Sequence, residues 1–213
     1  MRYAILSDIH GNLLALERVL ADAKHQGAEA VLCLGDIGSD ACLDRLHEVG
    51  ARLVFGNWEV SQWGYLREDN QTWIQSLPPL LTGDQFLAAH AAPSWPGGLS
   101  SVEDFMDYIL KKGVKWRALF PYLDQDKDAF WQAVAELENA GRPILFHGHT
   151  HVQMARRVGP TGRVARLRQP EFIIDRRACY VVGVGSVGRP EDDPAPKYVM
   201  YDDKTASVYL RSS

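Results

Sequence analysis

The sequence has little cysteine, no long apolar run and no internal repeat. Its three cysteines, Cys33, Cys42 and Cys179, cannot close a paired disulfide framework, and no C-x-x-C pair suggests a zinc knuckle. They are expected as packing residues. No run of about 18 uncharged apolar residues exists, which excludes a hydrophobic spanning helix and with it a membrane partner. The run Met1-Arg2-Tyr3-Ala4-Ile5-Leu6-Ser7 meets Asp8 too soon for the apolar region of a signal peptide, so a cytoplasmic protein is expected. With 46% hydrophobic and 23% charged residues, disorder, collagen and coiled coil are excluded. The net charge of −4 gives no reason to expect a stable nucleic-acid complex. A chain of 213 residues suits one domain, residues 1–213, with room for an insertion.

What is present is a recurring strand, polar loop and helix. Tyr3 to Ser7 is a short apolar run ending at Asp8, after which Leu16, Val19, Leu20 and Ala23 fit a helical stripe. Ala30 to Leu34 ends at Gly35-Asp36, residues 41–49 are helical by the spacing of Leu43, Leu46 and Val49, and Arg52 to Phe55 ends at Gly56-Asn57. This is the pattern of a parallel α/β sheet, whose right-handed crossovers bring the C-terminal strand ends to one edge. Phe86 to Ala89 and Ile144 to Phe146 repeat the design in what is expected to be the same sheet, and each runs into histidine. Between them residues 94–141 are predicted as a helical insertion over the polar edge, with helices at 101–112 and 126–140. From Val152 onward the alternation is that of strands, predicting a second, mostly antiparallel sheet that ends in a hairpin turning at Asp202-Asp203-Lys204.

The polar residues at these strand ends are Asp8, His10 and Asn12 around Gly11, then Asp36, Asn57, His90, and His149 and His151 after Gly148. Taken singly, each has an ordinary explanation. An Asp at a strand end often caps a helix, Asn after Gly is a common turn, and His25 and His47 are expected as solvated helix residues. As an ordered set, two aspartates, one asparagine and four histidines supply seven oxygen or nitrogen donors, enough for two divalent metals if one carboxylate bridges them. Buried without metal, the same groups would be desolvated and poorly paired.

Asp8-x-His10-Gly11-Asn12, Gly35-Asp36, Gly56-Asn57, His90 and Gly148-His149-Thr150-His151 occur in the order of the calcineurin-like metallophosphoesterase superfamily, which the sequence resembles over residues 5–151. Chain size and Gly185-Ser186-Val187-Gly188 extend the similarity to residue 189 and to the small prokaryotic phosphodiesterase branch. The resemblance implies a four-layer α/β/β/α sandwich, the metallophosphoesterase fold, with two metals at the sheet edge. It implies Asp8, His10 and His151 on the first metal, Asn57, His90 and His149 on the second, and Asp36 bridging. Asp36, Asn57 and His90 are the expected catalytic residues, and a metal-bridging hydroxide is the expected nucleophile. His147 matches no ligand of the family and is expected beside the ligands. Manganese is the expected metal, with iron, zinc, cobalt and nickel also compatible with these donors.

One position departs from the family. The residue after Gly56-Asn57 is usually a histidine that assists the leaving group; here it is Trp58, whose indole cannot deliver a proton near neutral pH. Either Trp58 stacks on a base or aromatic ring of the substrate, or it packs beneath the insertion. Asn12, Trp58 and His147 are the candidate substrate contacts. Residues 142–189 hold nine arginines, no lysine and two acids, a local charge of +7 that reads as a phosphate-attracting patch or as a solvated hairpin surface. All six tryptophans lie between residues 58 and 131, and one or two could form an aromatic wall for a nucleobase.

The expected function is a di-metal phosphoesterase acting on a small phosphorylated substrate, a cyclic nucleotide or another nucleotide-like diester. The alternatives within the enzyme class are a dinucleoside polyphosphate hydrolase and a phosphomonoesterase. The rival from another class is a metal-binding interaction module, like the retromer scaffold of the same superfamily, against which the survival of all seven ligands argues.

Overall fold

In β1 (Arg2–Leu6) the side chains alternate, Ala4 and Leu6 turning to one face and Ile5 to the other, and both faces are buried. A strand of this kind needs a layer on either side. The computed structural model, which describes residues 1–213, supplies them. After β1 come α1 (Leu13–His25), β2 (Ala30–Cys33), α2 (Asp40–Glu48), β3 (Arg52–Leu53), α3 (Asn57–Gln62) and α4 (Glu68–Gln75). Then follow β4 (Leu80–Thr82), β5 (Phe86–Ala89), α5 (Val102–Lys112), α6 (Lys127–Ala140) and β6 (Ile144–His147). The chain closes with β7 (Gln153–Val158), β8 (Val164–Leu167), β9 (Glu171–Ile173), β10 (Cys179–Val184), β11 (Lys197–Asp202) and β12 (Ser207–Ser212).

The strands form two six-stranded sheets, ordered β3-β2-β1-β11-β12-β9 and β4-β5-β6-β10-β7-β8. Between them lies a core containing Ile5, Leu32, Phe86, Ile144, Phe146, Val182 and Tyr201. Helices α1 to α5 cover the outer face of the first sheet through Leu16, Val19, Leu43 and Phe105, and α6 covers the second through Phe130, Val134 and Leu137. The result is the four-layer α/β/β/α sandwich. Cys33 and Cys42 are buried packing residues, Cys179 is half-buried, and all three are free. His25 and His47 are exposed. No helix is long and apolar enough to cross a membrane.

Two expectations are corrected. β5 and β6 do not continue the sheet of β1, β2 and β3; they pair in parallel with each other in the second sheet, where β6 also pairs in parallel with β10. Nor do the later strands all form the second sheet, since β9, β11 and β12 join the first beside β1. The hydrophobic pattern marks a strand buried on both faces, but both sheets offer that environment and the pattern does not choose between them. The segment 94–141 is the crossover joining β5 to the parallel β6, and it has three parts. Helix α5 packs beside α3, α6 forms the outer layer of the second sheet, and residues 116–122 run along the polar edge beside Asn57 and His149.

Candidate metal centre

The C-terminal ends of both sheets meet at one rim, so β1, β2 and the loop after β3 deliver Asp8, Asp36 and Asn57 opposite the histidines that follow β5 and β6. The loops carrying these residues are sharply bent. Six non-glycine residues have positive φ, and five of them are Asp8 (55°), His10 (48°), Asp36 (54°), His149 (64°) and His151 (56°). A left-handed conformation costs such a residue of order 1–3 kcal/mol and persists only where the surroundings impose it. Its concentration on proposed ligands marks the loops as shaped for the site.

Two donor groups result. Asp8, His10 and His151 converge in the first, with His10 Nε2 3.0 Å from His151 Nε2 and Asp8 Oδ1 3.3 Å from the latter. In the second, Asp8, Asp36 and His90 converge, with Asp36 Oδ1 3.5 Å and Asn57 Oδ1 3.1 Å from His90 Nε2; His149 stands beside this group, its ring 5.1 Å from that of His90. Asp36 joins the groups, since its other oxygen, Oδ2, is 3.8 Å from His10 Nε2. Asp8 also stands within ligand spacing of Asp36 and His90, so both carboxylates lie between the two sets of imidazoles.

The donors fit two divalent cations. His90 Nδ1 donates to the Leu34 carbonyl at 2.7 Å and His151 Nδ1 to the Arg189 carbonyl at 2.9 Å, which turns each Nε2 inward as a ligand. Asp8 Oδ1 and His149 Nε2 are buried with no hydrogen-bond partner. Orphaned polar atoms of this kind carry a desolvation cost that a cation removes.

Electrostatics reinforce the fit. Burial works to raise the Asp8 carboxyl, but the close approach of His151 and the charges of His90 and His151 bring it down to about 2. Burial and the neighbouring Asp8 raise Asp36. Burial lowers His10 to about 4 and, with the charge of His90, His149 to about 3, leaving both neutral near pH 7. For His90 and His151 burial is outweighed by the carboxylates, and both are raised above the ordinary 6.5. A cation binds the neutral imidazole, so protons held by His90 and His151 must leave when metal enters. Metal affinity is therefore expected to rise with pH through the interval above 6.5. Calorimetric titration with manganese in buffers of different ionisation enthalpy checks the sign: proton release near pH 6.5 agrees, and proton uptake contradicts it.

Glu59 was not foreseen, yet it organises the loops. Its carboxylate accepts from Gly56 N (2.7 Å), Asp36 N (2.8 Å) and Ile37 N (2.7 Å), tying the start of α3 to the loop that carries Asp36. Burial and the nearby Asp36 charge raise its carboxyl to about 7. The available signal was an acid three residues after Gly56, at a capping position. Trp58 donates its backbone N–H to Asp36 Oδ1 at 2.8 Å, while its side chain is half-buried against the helical core. Packing is thus the reading of Trp58 that the structure favours.

The other candidate substrate contacts are more distant in role. Asn12 caps α1, its Oδ1 accepting from Ala15 N at 3.1 Å. His147 is buried at the end of β6, donates from Nδ1 to the Gly148 carbonyl at 3.0 Å and belongs to neither donor group. Of the arginine-rich segment, Arg157 and Arg177 pair with Asp175 and Arg156 holds the carbonyls of Leu123 and Asp124, whereas Arg163, Arg166, Arg168 and Arg176 are exposed. Arg189 is also exposed, and its charge reaches His10. The aromatic wall comes instead from residues 116–122, where the Tyr122 ring lies 4.4 Å from that of His149 and Phe120 lies 5.9 Å from His90. Only the cluster of tryptophans pointed there, through Trp116.

Two facing mixed sheets, flanked by helices and carrying an Asp/Asn/His donor cluster at their common rim, define the metallophosphoesterase architecture. The sequence profile described as the calcineurin-like phosphoesterase superfamily domain matches residues 1–206, and the chain belongs to that superfamily. It is 26% identical to MJ0912, an uncharacterized protein of Methanocaldococcus jannaschii, over 97% of this chain and 85% of the relative. Among solved structures, a metallophosphoesterase from Sphaerobacter thermophilus is similar with a TM-score of 0.71 and 23% identity, covering 100% of this chain and 88% of the other. An archaeal phosphodiesterase is similar in fold at a TM-score of 0.52 and 13% identity, with 100% of each chain covered.

Proposed function

We propose that the protein is a metal-dependent hydrolase of small phosphodiesters, a cyclic nucleotide or another nucleotide-like ester, and that it favours leaving groups able to depart without a proton. The observation that carries this reading is Asp36, which turns one carboxylate oxygen toward each donor group. Asp8, His10 and His151 would hold one divalent cation and Asn57, His90 and His149 a second, with Asp36 between them; manganese is the proposed metal. Such a pair, when bound, supplies an activated water and neutralises charge on the phosphoryl group.

The chain's own contribution is positioning. Glu59 fixes Asp36 and the start of α3 through backbone N–H groups, and the Leu34 and Arg189 carbonyls orient His90 and His151. Asn57 sets its Oδ1 toward His90, leaving its amide N–H groups for a phosphoryl oxygen. Asp8, Asp36 and His90 are at most 2% exposed, so charge at this rim is weakly screened and acts strongly on the reacting phosphate.

Position 58 offers no acid, and a positioned acid is typically worth about 10² to 10⁴ in rate. Aryl oxides and anhydride phosphates depart as stable anions and lose least by its absence. Manganese-loaded protein is therefore expected to hydrolyse bis(p-nitrophenyl) phosphate far faster than an alkyl diester. Trp58→His is expected to speed the alkyl diester by about 10²-fold and the aryl diester much less. An equal gain on both would defeat the leaving-group argument. Metal loading without hydrolysis of either ester would favour an interaction module.

A further inference from the structure

Beside His149, a hollow of about 360 Å³ opens between α3 and residues 116–122. Asn57 and Ser61 form its α3 side; Trp116, Arg117, Phe120 and Tyr122 form the other. No carboxylate lines it. The Arg117 guanidinium rests over the Tyr122 ring at 4.9 Å, and that ring lies 4.4 Å from His149. An exposed cation is thus held on an aromatic face, no farther from the His149 ring than those two distances laid end to end. Trp116, 37% exposed, presents a further aromatic surface to the hollow.

We propose that this hollow seats the base and the departing phosphate of the substrate, with Arg117 as the specificity-determining residue for that second phosphate. The substrate class is then a nucleotide with a phosphate chain, in which the attacked phosphorus carries the nucleoside on one oxygen and a phosphate on another. The proposal rests on the phosphoesterase reading of the same centre and deepens it. In the reaction, the oxygen of water forms a new bond to that phosphorus. The bond to the bridging oxygen breaks, the bridging oxygen leaves with the electron pair as part of the departing phosphate, and the proton of water passes to solvent.

Two independent features converge on this class. A departing phosphate is stable as an anion near neutral pH and needs no proton, which suits a chain with Trp58 after Asn57. A planar guanidinium offers paired N–H donors to phosphate oxygens, and an exposed aromatic face such as that of Trp116 accepts a base.

The test compares ADP, whose leaving group is phosphate, with the p-nitrophenyl ester of thymidine 5′-monophosphate, whose leaving group carries no second phosphate. In manganese-loaded protein, Arg117→Met is expected to lower kcat/KM for ADP relative to the aryl ester by about 10- to 100-fold, the usual worth of a charge-assisted contact. Arg117→Lys should recover only part of the loss, and Arg18→Met, an exposed cation on α1, should change neither substrate. Equilibrium binding to the metal-free protein gives a second readout: ADP should bind more tightly than adenosine, and Arg117→Met should remove that difference. An unchanged substrate ratio, or equal binding of ADP and adenosine by the wild type, overturns the proposal. Failure of wild type to hydrolyse the aryl ester at all overturns the phosphoesterase reading instead, while the binding comparison still tests the role of Arg117.

Discussion

Asp36→Asn is expected to lower hydrolysis of bis(p-nitrophenyl) phosphate by about 10³-fold or more and to reduce metal content below two ions per chain. Losing a partner that merely orients a metal ligand already costs about 10- to 100-fold, and Asp36 faces both donor groups directly. The substitution isolates this role from folding. Asn keeps the shape and can still accept the Trp58 N–H, and it removes a charge that is 2% exposed and raised by burial and by Asp8. The metal-free variant is therefore expected to melt no lower than metal-free wild type, while added manganese should stabilise it much less. Elemental analysis, thermal melts with and without manganese, and the diesterase assay measure the three quantities together. A variant that retains two ions and wild-type turnover would remove Asp36 from the centre.

Gly56→Ala is expected to damage the site through the backbone. A Cβ at residue 56 would lie 2.8 Å from Asp36 N and 2.8 Å from His90 Cε1, and would also strike Asp36 Oδ1. The atoms in its way are backbone and ligands, which have no room to yield. Overpacking of this kind costs about 1–3 kcal/mol, and at this chain length each kcal/mol lowers the melting temperature by about 2–4 °C. Activity should fall further, by about 10²-fold, because a displacement near 1 Å is enough to spoil alignment. Gly64→Ala is the control, since a Cβ there meets nothing within 4 Å. Equal effects at the two positions would contradict the close approach on which the geometry depends.

The donor set was legible because strand ends, turn glycines and ligand-type residues coincide in the chain. Asp8, Asp36, Asn57, His90, His149 and His151 each follow an apolar run, and it is their ordered recurrence, not any one of them, that marks a candidate site. The assignment of β5 and β6 was not legible. A strand covered on both faces reads the same in either sheet, and the partner is fixed by long-range pairing with β10 rather than by local pattern. Glu59 was not legible, because an acid in the first turn of a helix is common and its role rests on three backbone partners from two loops. Arg117 and Tyr122 lie more than twenty residues from any ligand in sequence, and only the course of the crossover brings them beside His149. The tryptophan cluster marked that region without saying which ring faces the site. Trp58 packs where stacking was one of two readings, and Trp116 lines the hollow.

The joint rim of the two sheets is proposed as a centre that holds two metals and hydrolyses phosphodiesters. It is tested most directly by elemental analysis of manganese-loaded protein, with bis(p-nitrophenyl) phosphate hydrolysis measured on the same sample during stepwise chelation. Two ions per chain are expected, with hydrolysis that disappears as they are withdrawn. Fewer than two ions in active protein, hydrolysis that survives complete chelation, or two ions with no hydrolysis above buffer would contradict it.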